Sequence, residues 1–191
     1  DGDGKDDLLT ASMEGLFWLR RAAAGQFERR RIGEGAPGPL EAQKSGAGEV
    51  RVGQLKNGRK FIAAVEPMHG NQLVVYLAGE DPLNEWKRVV LDSTLARGHA
   101  IDVADLDHDG ADDLVAGHSD KGTGNPAGPG VFLYMAAKPE GTSWVKHVLD
   151  NGGIATEDLA VFDANGDGWP DVVAGGRATR NVRLYLNQGS N

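Results

Sequence analysis

Residues Asp105–Gly117 read DLDHDGADDLVAG, and Asp163–Gly175 read DANGDGWPDVVAG. Each stretch opens with a nine-residue loop carrying oxygen donors at alternate positions, then closes with a short apolar run ended by glycine. In the first, Asp105, Asp107 and Asp109 alternate, Gly110 permits a sharp turn, Ala111 offers its backbone carbonyl and Asp113 completes the set. The second repeats this with Asp163, Asn165, Asp167, Gly168, the Trp169 carbonyl and Asp171. The opening residues DGDGKDD keep Asp1, Asp3, Gly4, the Lys5 carbonyl and Asp7, without the first two loop positions. A chain that starts inside a motif is expected to be a piece of a longer protein.

An all-oxygen donor set on a flexible loop suits Ca²⁺ better than Mg²⁺, which prefers fewer protein ligands and retained waters. Five aspartates crowd into Asp105–Asp113, and their mutual repulsion is costly without a cation. An EF-hand would need a glutamate at loop position twelve and flanking helices. Here that position is Ala116 or Ala174, and Leu114–Ala116 and Val172–Ala174 read as buried strands. The expectation is therefore calcium loops set between β-strands.

The periodicity extends well beyond the loops. After each loop comes a small apolar strand (Leu8–Ala11, Ile62–Val65, Leu114–Ala116, Val172–Ala174). Next comes a strand rich in aromatic and leucine residues (GLFWL, QLVVYL, GVFLY, NVRLYL). A third mixes basic and apolar residues (Phe27–Ile32, WKRVVL, WVKHVL), and a fourth leads into the next loop (Val50–Leu55, Ala100–Leu106, Leu159–Asp163). The complete loops are 163 − 105 = 58 residues apart, and aligning Gln54 with Asp105 gives 105 − 54 = 51 for the preceding unit. That unit reads VGQLKNGRKFIAAV. Gln54, Lys56 and Phe61 stand where acids are expected, in a loop read as one residue shorter, so this repeat should fold without calcium.

Four strands per repeat predict an all-β chain and a β-propeller. About three and a half blades fit, roughly half of a seven-bladed ring. The whole of 1–191 is then a partial propeller: a partial blade at 1–35, a blade without a calcium loop at 50–92, a blade at 99–150 and a partial last blade at 157–191. Such repeats bury their apolar faces only against neighbours, so the remaining blades of the same propeller are the expected partners. The last repeat lacks its outer strand; in closed propellers an N-terminal strand can fill that gap, which would make Asn191 a domain boundary.

Composition narrows the function. With 20 basic and 28 acidic side chains the net charge is −8. Three Ca²⁺ would leave −8 + 6 = −2. An acidic chain without basic runs is a poor nucleic-acid binder, and no apolar stretch is long enough to span a bilayer as a helix. The absence of cysteine excludes disulfides and zinc–thiolate sites. Loops of this type suit extracellular calcium levels, so a secreted or periplasmic setting is expected.

The loops and flanking strands resemble the VCBS / FG-GAP family of calcium-loop propeller repeats. Three phrases, EPMHGN at Glu66–Asn71, RGHAIDVADLDHDG at Arg97–Gly110 and EDLAVFDANGDGWPDVVAGGRATRNVRLYLN at Glu157–Asn187, are similar to the propeller domain of aldos-2-ulose dehydratase-like proteins. This resemblance covers most of Val50–Asn187 and is weaker before it. It implies a propeller preceding cupin-type domains, acting in dehydration of sugar-derived ketoses.

Alternating strand direction puts the calcium loops on one face and the other set of turns on the opposite face. That opposite face receives Glu66, His69 and Asn71 from one turn, His118 from a second, and Arg177 and Arg180 from a third. His99 and Glu157 enter from the connections between blades, each four residues before the end of its strand. Two readings stand. In one, His69 and His99 with Glu66 or Glu157 hold a second divalent ion such as Zn²⁺ or serve as base in a hydro-lyase. Arg177, Arg180, Asn71 and His118 then bind the carbohydrate. In the other, these are ordinary polar loop residues on a non-catalytic, calcium-stabilised adhesion scaffold.

Overall fold

The strands form where apolar residues recur at period two or in short continuous runs bounded by glycine and Asx turns. The computed structural model describes residues 3–41, 44–81, 83 and 86–189. Among them are fourteen strands in four antiparallel sheets and no helix. The first sheet holds β1 (Leu8–Ser12), β2 (Gly15–Ala23) and β3 (Gln26–Gly33). The second holds β4 (Gly48–Gln54), β5 (Lys60–Glu66), β6 (Gln72–Ala78) and β7 (Trp86–Asp92). The third holds β8 (Gly98–Ala104), β9 (Asp113–His118), β10 (Gly130–Ala136) and β11 (Trp144–Asn151). The fourth holds β12 (Thr156–Phe162), β13 (Asp171–Gly176) and β14 (Asn181–Tyr185). Each sheet is a meander in chain order, as a propeller blade requires.

The core lies in the seams between blades. Leu16, Trp18, Ile62, Val74 and Tyr76 fill the first seam. Phe61, Val75, Leu77, Leu114 and Tyr134 fill the second, and Val115, Val131, Ile154, Leu159 and Val172 the third. Near the axis, the blades are strapped through one carboxylate. Asp102 on β8 accepts from Arg51 Nε of β4 at 3.2 Å and from the Val161 amide of β12 at 2.9 Å.

A second device latches the seams further out. Asp92 ends β7 and accepts from the Tyr134 hydroxyl at 2.7 Å and from Lys146 Nζ at 2.6 Å, both in the next blade. Asp150, next to last in β11, accepts from Tyr185 at 3.1 Å and Arg183 at 2.9 Å, again in the next blade. At the first seam Gly33 takes the aspartate's place, because a Cβ there would strike the Tyr76 ring at 2.2 Å. Tyr76 instead donates to Glu66 of its own blade at 2.6 Å.

The loop in the second blade departs from the sequence reading. Gln54 pairs with Lys60, leaving residues 55–59 in the hairpin, whereas Ala104 pairs with Asp113, leaving 105–112. The difference is three residues, not one, and the strand ladders align at a period of 50: Gly48 pairs with Val65 as Gly98 pairs with His118.

Candidate functional site

Two clusters stand out, one on each face. On the loop face, Asp105, Asp107 and Asp109 bring carboxylate oxygens within 4.8 Å of one another. The loop backbone shapes itself around these acids: Asp105 accepts from the amides of Asp109 and Gly110, and Asp109 accepts from the Ala111 amide. The last-blade loop repeats the pattern, with Asp163 accepting from the amides of Asp167 and Gly168 and Asp167 accepting from that of Trp169. Asp113 and Asp171 sit buried at the loop bases and accept from the Leu106 and Ala164 amides. Burial pushes the Asp113 carboxyl up to about 7, and Asp107, Asp109 and Asp105 push in the same direction. Such a crowded all-oxygen donor set fits a hard divalent cation. The two loops touch through His108 and Trp169, whose rings stack at 4.0 Å.

In the opening loop Asp3 pairs with Lys5 at 3.1 Å, and Asp7 accepts from the Arg21 amide at 2.8 Å. Asp1 lies outside the described residues. The short hairpin of the second blade supplies a cation of its own: Lys56 Nζ reaches Asp109 at 3.0 Å.

On the opposite face, three inner strands bulge at the same point. The register of β4 with β5 shifts between Gly48 and Val50, that of β8 with β9 between Gly98 and Ala100, and that of β12 with β13 between Thr156 and Asp158. The residues released from the ladders are Glu49, His99 and Glu157, one from each of three blades. Bulges of this kind re-aim side chains. Glu49 adopts a left-handed φ of 47°, and burial raises its carboxyl pKa against the pull of Arg51, with Asp158 and His69 also near enough to act on it.

His69 enters from the tight turn after β5, with φ 57°, and its ring packs on His99 at 4.1 Å with the planes tilted by 33°. His99 Nε2 is buried, lies 3.5 Å from the Glu157 carboxylate and makes no hydrogen bond. Arg177 holds the other Glu157 oxygen at 3.2 Å and is otherwise largely exposed. Burial lowers the His99 pKa, His69, Arg97 and Arg177 lower it further, and Glu157 opposes them. Glu157, Arg177 and Arg180 line a shallow cleft of about 440 Å³.

The sequence-derived set is thus gathered only in part. His69, His99, Glu157 and Arg177 form a continuous chain of contacts, and Arg180 lies beside it. Glu66 does not join them. It is fully buried, with Arg88 donating to it at 2.6 and 3.0 Å, because the last residue of β5 turns inward at its pairing with Gln72. His118 is buried against Phe132, with Nδ1 2.8 Å from the Asp120 carbonyl. Asn71 is exposed and donates to the Ser93 carbonyl. The sequence reading missed Glu49, because a period of 51 sets Gly48, not Glu49, opposite His99.

Among the described residues, only Asp105, Asp107 and Asp109 bring three donors of the His, Cys, Asp or Glu type together. The His69 and His99 rings pack with their planes tilted by 33°, and among the described residues no carboxylate joins them in a three-donor group, so the histidine pair as arranged does not fit a zinc centre.

No curated protein matches the chain. A family model does, over residues 1–79, where the sequence phrases quoted above only begin. The chain is therefore similar, through its first blade and most of its second, to the β-propeller domain of aldos-2-ulose dehydratase.

Proposed function

We propose that this is a calcium-stabilised propeller of an exported, carbohydrate-active protein whose axial face dehydrates a sugar-derived ketose. The observation that carries this reading is the buried His99 Nε2, without a hydrogen bond and 3.5 Å from Glu157. A neutral imidazole in that position has a ring nitrogen held by no hydrogen bond, and a carboxylate beside it ready to stabilise its charged form. In the proposed step the His99 imidazole takes the proton from the carbon beside the ketose carbonyl, with Glu157 beside Nε2 to stabilise the resulting charge. The C–H electron pair becomes a C=C bond, and the hydroxyl one carbon further departs with its C–O pair. The imidazolium returns its proton to that hydroxyl, so water leaves and the base is restored. Arg177 binds the carbonyl or a sugar hydroxyl through its exposed N–H groups, and Glu49 faces the same space.

Calcium, in this reading, holds the loops at the far ends of the blades. Its role there is charge neutralisation and stability, not chemistry. We expect calcium to raise the thermal midpoint of the wild type. Saturation at about a hundred times the dissociation constant would add about 2.7 kcal/mol. Asp109→Ala should remove much of that gain while changing the chelated protein by less than about 1 kcal/mol, since the Lys56 pair it loses is exposed. Equal losses with and without calcium would count against ligation.

The activity is tested by incubating the protein with a hexose-derived aldos-2-ulose and following the ultraviolet absorbance of the unsaturated product. Saturable absorbance growth, abolished in Glu157→Gln, is the expected result. Neither turnover nor any shift of the His69 and His99 imidazole resonances on adding the sugar would leave the scaffold reading in its place.

A further inference from the structure

The turn that carries His69 is fixed between two blades. On one side, a Cβ at Gly48 would stand only 3.0 Å from the Met68 backbone. On the other, the Gly98 amide donates to the Gly70 carbonyl at 2.9 Å. Gly48 and Gly98 directly precede Glu49 and His99, so one turn gathers both released residues around the His69 ring. The order along the face is then Glu49, His69, His99, Glu157 and Arg177. Glu157 already serves His99 and Arg177. Glu49 stands at the far end of the line.

Its carboxylate is half-buried, and no hydrogen bond from the described residues reaches it. The neighbouring guanidinium is committed elsewhere: Arg51 donates from Nε to Asp102 at 3.2 Å and from Nη1 to the Val50 carbonyl at 3.0 Å. A carboxylate offers about four lone-pair sites to donors, and acceptors left unmet away from water cost free energy that the hydroxyls of a ligand would restore. The backbone points the same way. Of the three residues released by the bulges, Glu49 alone lies in the left-handed region, at φ 47°. Glycine would take that conformation freely, whereas a side chain there is strained, and strain of this kind clusters at ligand sites.

We propose that Glu49 binds the hydroxyl tail of the ketose and so decides which way round the sugar lies. Its two oxygens accept from hydroxyls beyond the reacting carbons. Arg177 donates to the carbonyl at the other end, and the carbon that loses its proton lies between them, against His99. The substrates are thereby narrowed to ketoses with free hydroxyls on the carbons remote from the carbonyl, because a ketone without them has no hold on Glu49. The orientation rests on the dehydration reading, while the hydroxyl contact can be measured without turnover.

Two variants of the intact chain separate binding from structure. Glu49→Gln keeps the size and loses the charge, and Glu49→Gly removes the side chain and relieves the backbone. Both should raise KM for the aldos-2-ulose about tenfold or more, the effect of losing a hydrogen bond to a charged group, while kcat falls far less. Neither should lower the thermal midpoint, because burial already disfavours the charge in the folded chain. Methyl glucoside, which has the hydroxyls but no carbonyl to react, is the second probe. It should shift the His69 imidazole resonances in the wild type and not in Glu49→Gln. An unchanged KM in Glu49→Gln overturns the proposal and leaves the dehydration reading standing. So does a midpoint lowered in both variants, which would make Glu49 a structural group. Absence of turnover in the wild type removes the dehydration reading. If methyl glucoside then still shifts the wild type alone, the hydroxyl contact stands without it; if it shifts neither protein, both fall.

Discussion

Glu66→Ala is expected to lower the unfolding free energy by about 3 kcal/mol, the low end of what breaking a buried ion pair costs. Glu66 is fully buried and accepts from the Tyr76 hydroxyl and from two nitrogens of Arg88. Removing it leaves a guanidinium about one-third exposed, whose charge water can screen only in part. It also strands a tyrosine hydroxyl that burial has already made hard to ionise. Denaturant titration reads the loss. The double change Glu66→Met with Arg88→Met should recover much of it, because two apolar side chains of similar volume need no partner. A loss under about 1 kcal/mol in the single variant would show that the pair contributes little and that the blade is held by packing alone.

Replacing His99 with asparagine should reduce turnover on the ketose by about 10²–10⁴-fold, the usual contribution of a positioned general base. KM should stay near its wild-type value, because Arg177 still binds the sugar. The pH profile carries the sharper evidence. Burial and the neighbouring His69, Arg97 and Arg177 hold the imidazole below its ordinary value of 6.5. The neutral base therefore persists on acidification past 6.5, and activity falls only at lower pH, as Nε2 takes up a proton. Arg177→Met should move that limb, because it removes one of the charges that oppose protonation. A profile indifferent to His99 would assign the chemistry elsewhere.

The acidic loops and the blades were legible because both are written in short-range pattern. Alternating acids followed by Gly110 or Gly168, and period-two apolar runs, need no knowledge of distant contacts. The opposite face was legible only where a residue's position did not depend on strand parity. His99 and Glu157 lie in repeats with complete loops, so counting along the sequence aligned them. Glu49 lies in the repeat whose hairpin lost three residues, and an error of one position set glycine in its place. Glu66 reads from the sequence as a turn residue, but β5 runs on through it. That strand is buried on both faces from Phe61 to Glu66, so its last residue is interior whichever way it points. His118 is a different case: its loop folds back over it, and only tertiary packing against Phe132 decides that.

Acid should not loosen all the joints of this molecule alike. Burial would raise the Asp92 carboxyl, but Lys146, Thr94 and Tyr134 hold it down to about 2. Its depressed pKa contributes about 2 kcal/mol above the unfolded value near 4, a contribution lost as pH falls through that window. The joint between the second and third blades thus depends on a carboxylate remaining ionised. Where Gly33 replaces that acid, the first two blades meet through a ring against bare backbone. In strong acid the first two blades should therefore stay together as a unit while the later ones peel away, giving unravelling a direction that the near-symmetry of the repeats would conceal.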